Sequence, residues 1–177
     1  SLNSTADGRV IAIVQMSCAI KDDKELKAVK ERILKKHHLK AVLSMPDDLF
    51  YPVGVVTCIM IFEANKPNVG RKTWFGYFKD DGFEKRKGFG RIDARNQYSA
   101  IKKRWLNAYR NLDEIPGISV RKEVTAADEW CAEAYMTTDY SGLSDDAFVD
   151  TMRKYLAFRV LSSEPTENLL ITNKATT

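Results

Sequence analysis

Two groups of side chains in this 177-residue chain have the type and spacing for chemistry. The first is the aromatic pair Phe50 and Tyr51, set between Pro46-Asp47-Asp48 and Pro52 in SMPDDLFYPVGVVTCIMIF. A polar turn that carries aromatic rings to one end of a sheet is costly unless something covers them. The second group is cationic: Arg71, Lys72, Lys85, Arg86, Lys87, Arg91 and Arg95 have the charge to neutralise phosphates, and the glycines of KGFGR let backbone approach a strand closely. Residues 71–104 carry eleven basic and four acidic groups, a balance of +7, against +2 for residues 1–70 and −5 for residues 105–177. Interleaved with Trp74, Phe75, Tyr77, Phe78, Phe83 and Phe89, this middle third suits a polyanion bound on one side only. A solvated basic loop is the equally ordinary alternative.

Other residues that invite a catalytic reading have simpler ones. Gly88-Phe89-Gly90 lacks the third glycine of a phosphate-binding fingerprint and does not join a strand to a helix. His37 and His38 fall at a helix C-terminus, where a cation complements the macrodipole, and no partner stands at metal-ligand spacing. Asp47 and Asp48 are expected to shape the turn by bonding nearby backbone N–H groups. Cys18, Cys58 and Cys131, odd in number and widely spaced, read as core thiols rather than disulfides or a zinc site. No catalytic, cofactor-binding or metal-binding residue is nominated within this chain.

The elements that must position these groups follow from periodicity. Arg9–Met16 (RVIAIVQM) reads as a buried strand, and a helix follows it, capped by Asp22 or Asp23, with Leu26, Val29, Ile33 and Leu34 on one face. Lys40–Met45 is a second strand that Pro46 ends, because proline has no N–H for the ladder. Gly54–Phe62 resumes as a β-branched strand, apolar on both faces and antiparallel to its predecessor because the connection is short. Strand, helix and strand thus come in the order of a right-handed parallel crossover, closed by an antiparallel strand. Asp80-Asp81-Gly82 predicts a hairpin between Lys72–Phe78 and Phe83–Lys87. Helices are expected over Asn96–Tyr109, after the Thr125/Asp128 capping pair, and from Ser144 onward with Phe148, Met152, Tyr155, Leu156 and Val160 on one face.

The run SMPDDLFYPVGVVTCIMIFEANKP, with KTWFGYFKDDGF and EVTAADEWCAEAY after it, closely resembles the modification subunit of type I restriction-modification systems, an adenine-N6 DNA methyltransferase. The resemblance extends from about Gly8 to about Leu161. It implies an α/β fold: the C-terminal part of a class I (Rossmann-like) methyltransferase sheet with antiparallel edge strands and a hairpin, followed by a helical segment. In that family the glycine-rich cofactor motif and the catalytic Asn-Pro-Pro-Tyr/Phe motif lie upstream of the matched segment, and neither occurs here. The chain is therefore expected to be a fragment, inactive alone, whose parent uses S-adenosylmethionine. The aromatic before the proline and the long strand, here Phe50 with Tyr51 beside it, is implied to stack the flipped target base. One departure is Gln15-Met16-Ser17, where many related amino-methyltransferases place a proline after the first strand.

The expected organisation is residues 8–95 as sheet edge and basic hairpin, 96–161 as a helical segment, and 162–177 as a partly disordered tail. Expected partners are DNA and the specificity and restriction subunits of the type I complex. No apolar run approaches the roughly 20 residues of a membrane span, and no secretory pattern opens the chain, so the default location is cytoplasmic. Two non-enzymatic readings stand beside this one: an assembly module whose acidic helices dock the specificity subunit, and a DNA-binding module. In the former, Trp130, Tyr135, Phe148, Met152 and Tyr155 supply the apolar docking surface.

Overall fold

The structure, a computed structural model, describes residues 8–136 and 144–161. The chain divides into two compact units, residues 1–138 and 139–177. The first contains β1 (Arg9–Gln15), α1 (Ser17–Ile20), α2 (Lys24–Lys36), β2 (His38–Ser44), β3 (Thr57–Glu63), β4 (Thr73–Tyr77), β5 (Glu84–Arg86), β6 (Gly90–Ile92), α3 (Tyr98–Asn111) and β7 (Ser119–Lys122). The second contains α4 (Asp145–Leu161). Both α3 and β7 lie beyond residue 95, yet both belong to the first unit.

The main sheet has the order β1-β3-β2-β4-β7, with β2 and β4 parallel and every other neighbouring pair antiparallel. β1 and β2 run the same way, as the crossover pattern requires, but β3 is inserted between them and pairs with both. Its residues alternate between the two faces, with Met60 opposite Val42 and Ile61 opposite Ala41, so each face gains an apolar row. One face packs with α2 and the segment 124–136 through Leu34, Leu39, Met60, Phe62, Phe75 and Trp130. The other packs on α3 through Ala41, Ile61, Trp74, Phe78, Trp105 and Ala108. The Phe78 and Trp105 rings stack at 4.4 Å and 8°, a pairing worth about 0.5–1.5 kcal/mol beyond area burial.

Local signals account for the helix starts. Asp23 accepts from the N–H groups of Glu25 and Leu26 at 2.9 and 3.2 Å, and Ser144 Oγ accepts from Ala147 N–H at 3.2 Å. Gly76 is fixed by packing: a Cβ there would stand 2.6 Å from the Trp74 indole.

Several expectations need correction. The Asp80-Asp81-Gly82 turn does not join two paired strands. Its aspartates accept from Gly82 and Phe83 N–H groups, while β4 pairs with β2 and β7, and the hairpin forms one turn later between β5 and β6. Burial won here: Trp74 and Phe75 are core residues, so β4 goes to the sheet centre and cannot also pair with the charged β5. The Thr125/Asp128 pair does form, with Thr125 N and Oγ1 both donating to Asp128 Oδ2 at 2.7 Å, but no helix follows. The groups a helix would use are taken by tertiary partners. Trp130 N–H donates to Ala19 O at 3.0 Å, and the buried Lys30 ammonium donates to Ala19 O and Asp128 O at 2.8 and 3.1 Å. Lys30 also lies 5.0 Å over the Trp130 ring, and burial pushes its pKa down.

β1 is a half-exposed edge strand in place of a buried one, with Ile11 and Ile13 66% and 62% exposed. Cys58 and Cys131 are core thiols that burial raises to about 12 and about 11, whereas Cys18 is exposed. His37 and His38 are buried and do not lie at a solvated helix end. His37 Nδ1 accepts from Asn65 N–H at 3.0 Å, and His38 Nδ1 lies 2.8 Å from Asn68 Oδ1. Trp130 is buried and Tyr135 packs on Phe75 at 4.8 Å, so neither supplies free docking surface. On α4, Phe148, Met152, Tyr155 and Leu156 are exposed on one face, while the Val160 side chain and the tail 162–177 lie outside the described residues.

Candidate nucleic-acid interface

The end of β2 and the start of β3 set the position of the aromatic loop. Pro46 stops β2, and three successive turns follow: Leu49 N–H to Pro46 O at 3.2 Å, Tyr51 N–H to Asp48 O at 3.0 Å and Val53 N–H to Phe50 O at 2.8 Å. The Tyr51–Pro52 bond is cis. Phe50 and Tyr51 emerge from this loop 42% and 53% exposed, as large rings that the sheet does not cover.

Three cations hold the loop by its paired aspartates, while the turn's N–H groups at Leu49, Tyr51 and Val53 go to backbone oxygens rather than to these carboxylates. Asp47 lies 2.5 Å from Lys79 Nζ, which also lies 3.0 Å from Glu133 Oε1; Glu133 in turn accepts from the buried Ser44 hydroxyl at 2.5 Å. Burial opposes the charge on Lys79, but hydrogen bonds to Asp47 and Glu133 together outweigh it and hold the pKa above the usual lysine value. Asp48 lies 3.0 Å from Arg91 Nε, and the Arg91 Nη2 donates to both oxygens of Asp81 at 2.8 and 2.9 Å. Lys85 stands 3.5 Å from Asp48 and 5.7 Å from the centre of the Tyr51 ring. The loop is thereby tied to β4's continuation, to the β5–β6 hairpin and to the segment after β7.

The seven predicted phosphate contacts separate into three groups. Lys85, Arg86 and Lys87 are exposed on the hairpin beside the aromatic loop, with Arg95 near them; Glu84 lies 3.7 Å from Arg86 and 3.0 Å from Arg95. Arg91 is in the same place, but its guanidinium is committed to Asp48 and Asp81 and its side chain is 12% exposed. Arg71 and Lys72 stand elsewhere. They precede Thr73 at the start of β4, and the parallel register of β4 with β2 puts that end about 13 Å or more from the end that carries Phe50. There Arg71 lines a cleft of about 370 Å³ with Glu31, Lys35, Asn68 and Glu123.

The Lys79–Glu133–Ser44 chain is a site feature that no motif marked, and Phe89, one of the aromatics interleaved with the basic residues, stands exposed at the hairpin tip. Ser44 and Glu133 are 89 residues apart, so only the fold joins them. Among the described residues no group of three or more His, Cys, Asp or Glu side chains is placed to hold a metal ion. The positive-φ glycines Gly54, Gly70, Gly82, Gly88, Gly90 and Gly117 lie in loops and turns, and none opens a helix directly behind a strand. No described helix is long and apolar enough to cross a membrane.

Comparison with known proteins agrees with this architecture. The restriction enzyme and methyltransferase RM.BcgI of Heyndrickxia coagulans, named as a type II system, is 34% identical over 156 residues, covering 86% of this chain and 24% of that protein. The chain thus spans about a quarter of the length of this curated relative. The type I restriction-modification methyltransferase subunit of Streptococcus thermophilus superposes with a TM-score of 0.52 at 18% identity, over 66% of this chain and 23% of its own. A structure from a study of type I complex assembly and conformational transition gives 0.51 at 18%, over 89% and 34%. At these identities the two structures speak for the fold: a mixed α/β arrangement with a mostly antiparallel sheet between helices. The model of the N-6 DNA methylase family matches residues 1–154, and the chain belongs to that family.

Proposed function

We propose that this chain supplies the target-base platform and part of the DNA path of a longer, S-adenosylmethionine-dependent adenine-N6 DNA methyltransferase, the modification subunit of a type I restriction-modification system. The observation that carries the reading is the placement of Phe50 and Tyr51: exposed rings on a loop tied down at both aspartates, next to a cationic hairpin. A base extruded from a duplex loses its stacking partners, and an aromatic ring held at a fixed position replaces them. Lys85, Arg86, Lys87 and Arg95 contact phosphates around that position, whereas Arg91 holds the loop. Arg71 and Lys72, at the far end of the sheet, meet DNA only along a longer path.

The bound cofactor supplies the methyl group. Its site and the Asn-Pro-Pro motif belong to residues outside these 177, so the chain alone neither binds the cofactor nor methylates DNA. Sequence choice rests with a specificity subunit, docked in part by the exposed apolar face of α4, and cleavage with a restriction subunit, all in the cytoplasm. The similarity to RM.BcgI favours a second reading, in which modification and restriction share one polypeptide. Phe50→Ala in the complete enzyme tests the shared core of both. Methyl transfer falls about 5- to 150-fold, the value of one stacking platform, while cofactor affinity is retained. Full activity in that variant refutes the platform.

A further inference from the structure

Phe89 lies at the tip of the β5–β6 hairpin and is 80% exposed. Isolated exposed apolar side chains are common on proteins, but three features distinguish this one. The turn is built to present it: Phe89 N–H donates to Arg86 O at 3.0 Å, Gly88 takes the positive φ of 81° that the third position of a type II turn requires, and Gly90 follows at 77°. No atom lies within 4 Å of where a Cβ would stand on either glycine, so the tip projects into open space. The flanks are cationic, with Lys85, Arg86 and Lys87 all exposed. The base is anchored to the aromatic loop through Arg91–Asp48 at 3.0 Å and Lys85–Asp48 at 3.5 Å. Lys85 and Phe89 are four positions apart, so their Cα atoms lie within about 14 Å of each other, and the Lys85 ammonium stands 5.7 Å from the centre of the Tyr51 ring.

An anchored cationic hairpin with one apolar ring at its tip is the form of a wedge for duplex nucleic acid: the cations bind phosphates, and the ring enters between base steps that the backbone contacts alone cannot open. We propose that Phe89 inserts into the base stack of duplex DNA beside the target adenine while the Phe50 loop receives that base. This rests on the proposed role of the loop and adds a second, separable DNA contact to it. Extrusion of a paired base costs unstacking and unpairing, and the cost is lower when the pair is already broken. A wedge therefore matters for a paired target and little for an unpaired one, whereas the platform matters for both.

The test uses the complete methyltransferase as wild type, Phe89→Ala, Phe89→Trp and Phe50→Ala, with folding confirmed by circular dichroism. Two duplexes carry 2-aminopurine at the target, one with a normal partner base and one with an abasic site opposite. Phe89→Ala is expected to weaken binding and the flipping fluorescence about tenfold on the paired duplex and less than about twofold on the abasic one, with Phe89→Trp near wild type. An equal deficit on both duplexes, or none, overturns the wedge. Phe50→Ala is expected to lose signal on both, and its failure to do so counts against the platform without touching the Phe89 comparison. Vesicles of phosphatidylcholine and phosphatidylserine complete the set. Binding that depends on Phe89 there, with no DNA effect, overturns the proposal in favour of a membrane contact.

Discussion

Arg91→Met separates a phosphate contact from an internal tie. The Arg91 and Asp81 side chains are 12% and 8% exposed, and their two hydrogen bonds of 2.8 and 2.9 Å are made where water is nearly excluded. Removal of the guanidinium leaves Asp81 with Phe83 N–H as its remaining acceptor contact, at 3.1 Å, and leaves Asp48 with Lys85 at 3.5 Å. Breaking a buried charged pair costs about 3–5 kcal/mol, and Asp48 adds little because it is more exposed and keeps a partner. The expected loss is about 3 kcal/mol by urea unfolding, read as a fall in midpoint at constant m. In the double variant Arg91→Met/Asp81→Leu no buried charge is orphaned, so more than half of that loss returns. If Arg91 instead serves DNA, the single variant loses less than about 0.5 kcal/mol and the slope of log affinity against log salt drops by about 0.9. That result would refute the tether.

Three further outcomes follow from particular side chains. Charge reversal at Lys85, Arg86 and Lys87 together is expected to lower the salt slope of DNA binding by the complete enzyme by about 0.9 for each phosphate that is no longer neutralised, while the preferred site is kept; an unchanged slope assigns the cluster to solvent. Gly76→Ala places a methyl 2.6 Å from the buried Trp74 ring and 3.0 Å from Phe78, and is expected to cost about 1–3 kcal/mol in urea unfolding, with a change under about 0.5 kcal/mol contradicting the packing. Burial depresses the pKa of His38 against the opposing hydrogen bond to Asn68. The unfolded chain then binds the proton first, so stability is full above about pH 6.5 and declines as pH falls toward the folded pKa, by up to about 1.4 kcal/mol per pH unit. In His38→Gln that part of the decline disappears, as equilibrium unfolding at several pH values would show.

The elements that depend on local signals were legible in the sequence. Asp23 and Ser144 cap the helices that their positions announced, Pro46 stops β2, and the helix expected over Asn96–Tyr109 is α3, with Trp105 and Ala108 buried. The similarity of SMPDDLFYPVGVVTCIMIF to methyltransferases pointed to the loop that the structure leaves exposed. What depends on long-range partners was not legible. The Asp-Gly signal at residues 81–82 lost to the burial of Trp74 and Phe75, and the Thr125/Asp128 cap lost to Lys30 and Ala19, which take the backbone groups of the next residues. Ion pairing was hidden for the same reason. Asp47 and Asp48 read as turn residues and Arg91 as one cation among seven, because Lys79, Glu133 and Asp81 come to them only in the folded chain.

Photocrosslinking addresses the target-base platform most directly. A duplex with 5-iodouracil in place of the target adenine is bound to the complete methyltransferase, irradiated, and the linked peptide is located by mass spectrometry. A base stacked on the loop couples to Phe50 or Tyr51, and the yield falls sharply in Phe50→Ala. Crosslinks that map only to other segments, or a yield unchanged by that substitution, would contradict the assignment of these rings to the extruded base.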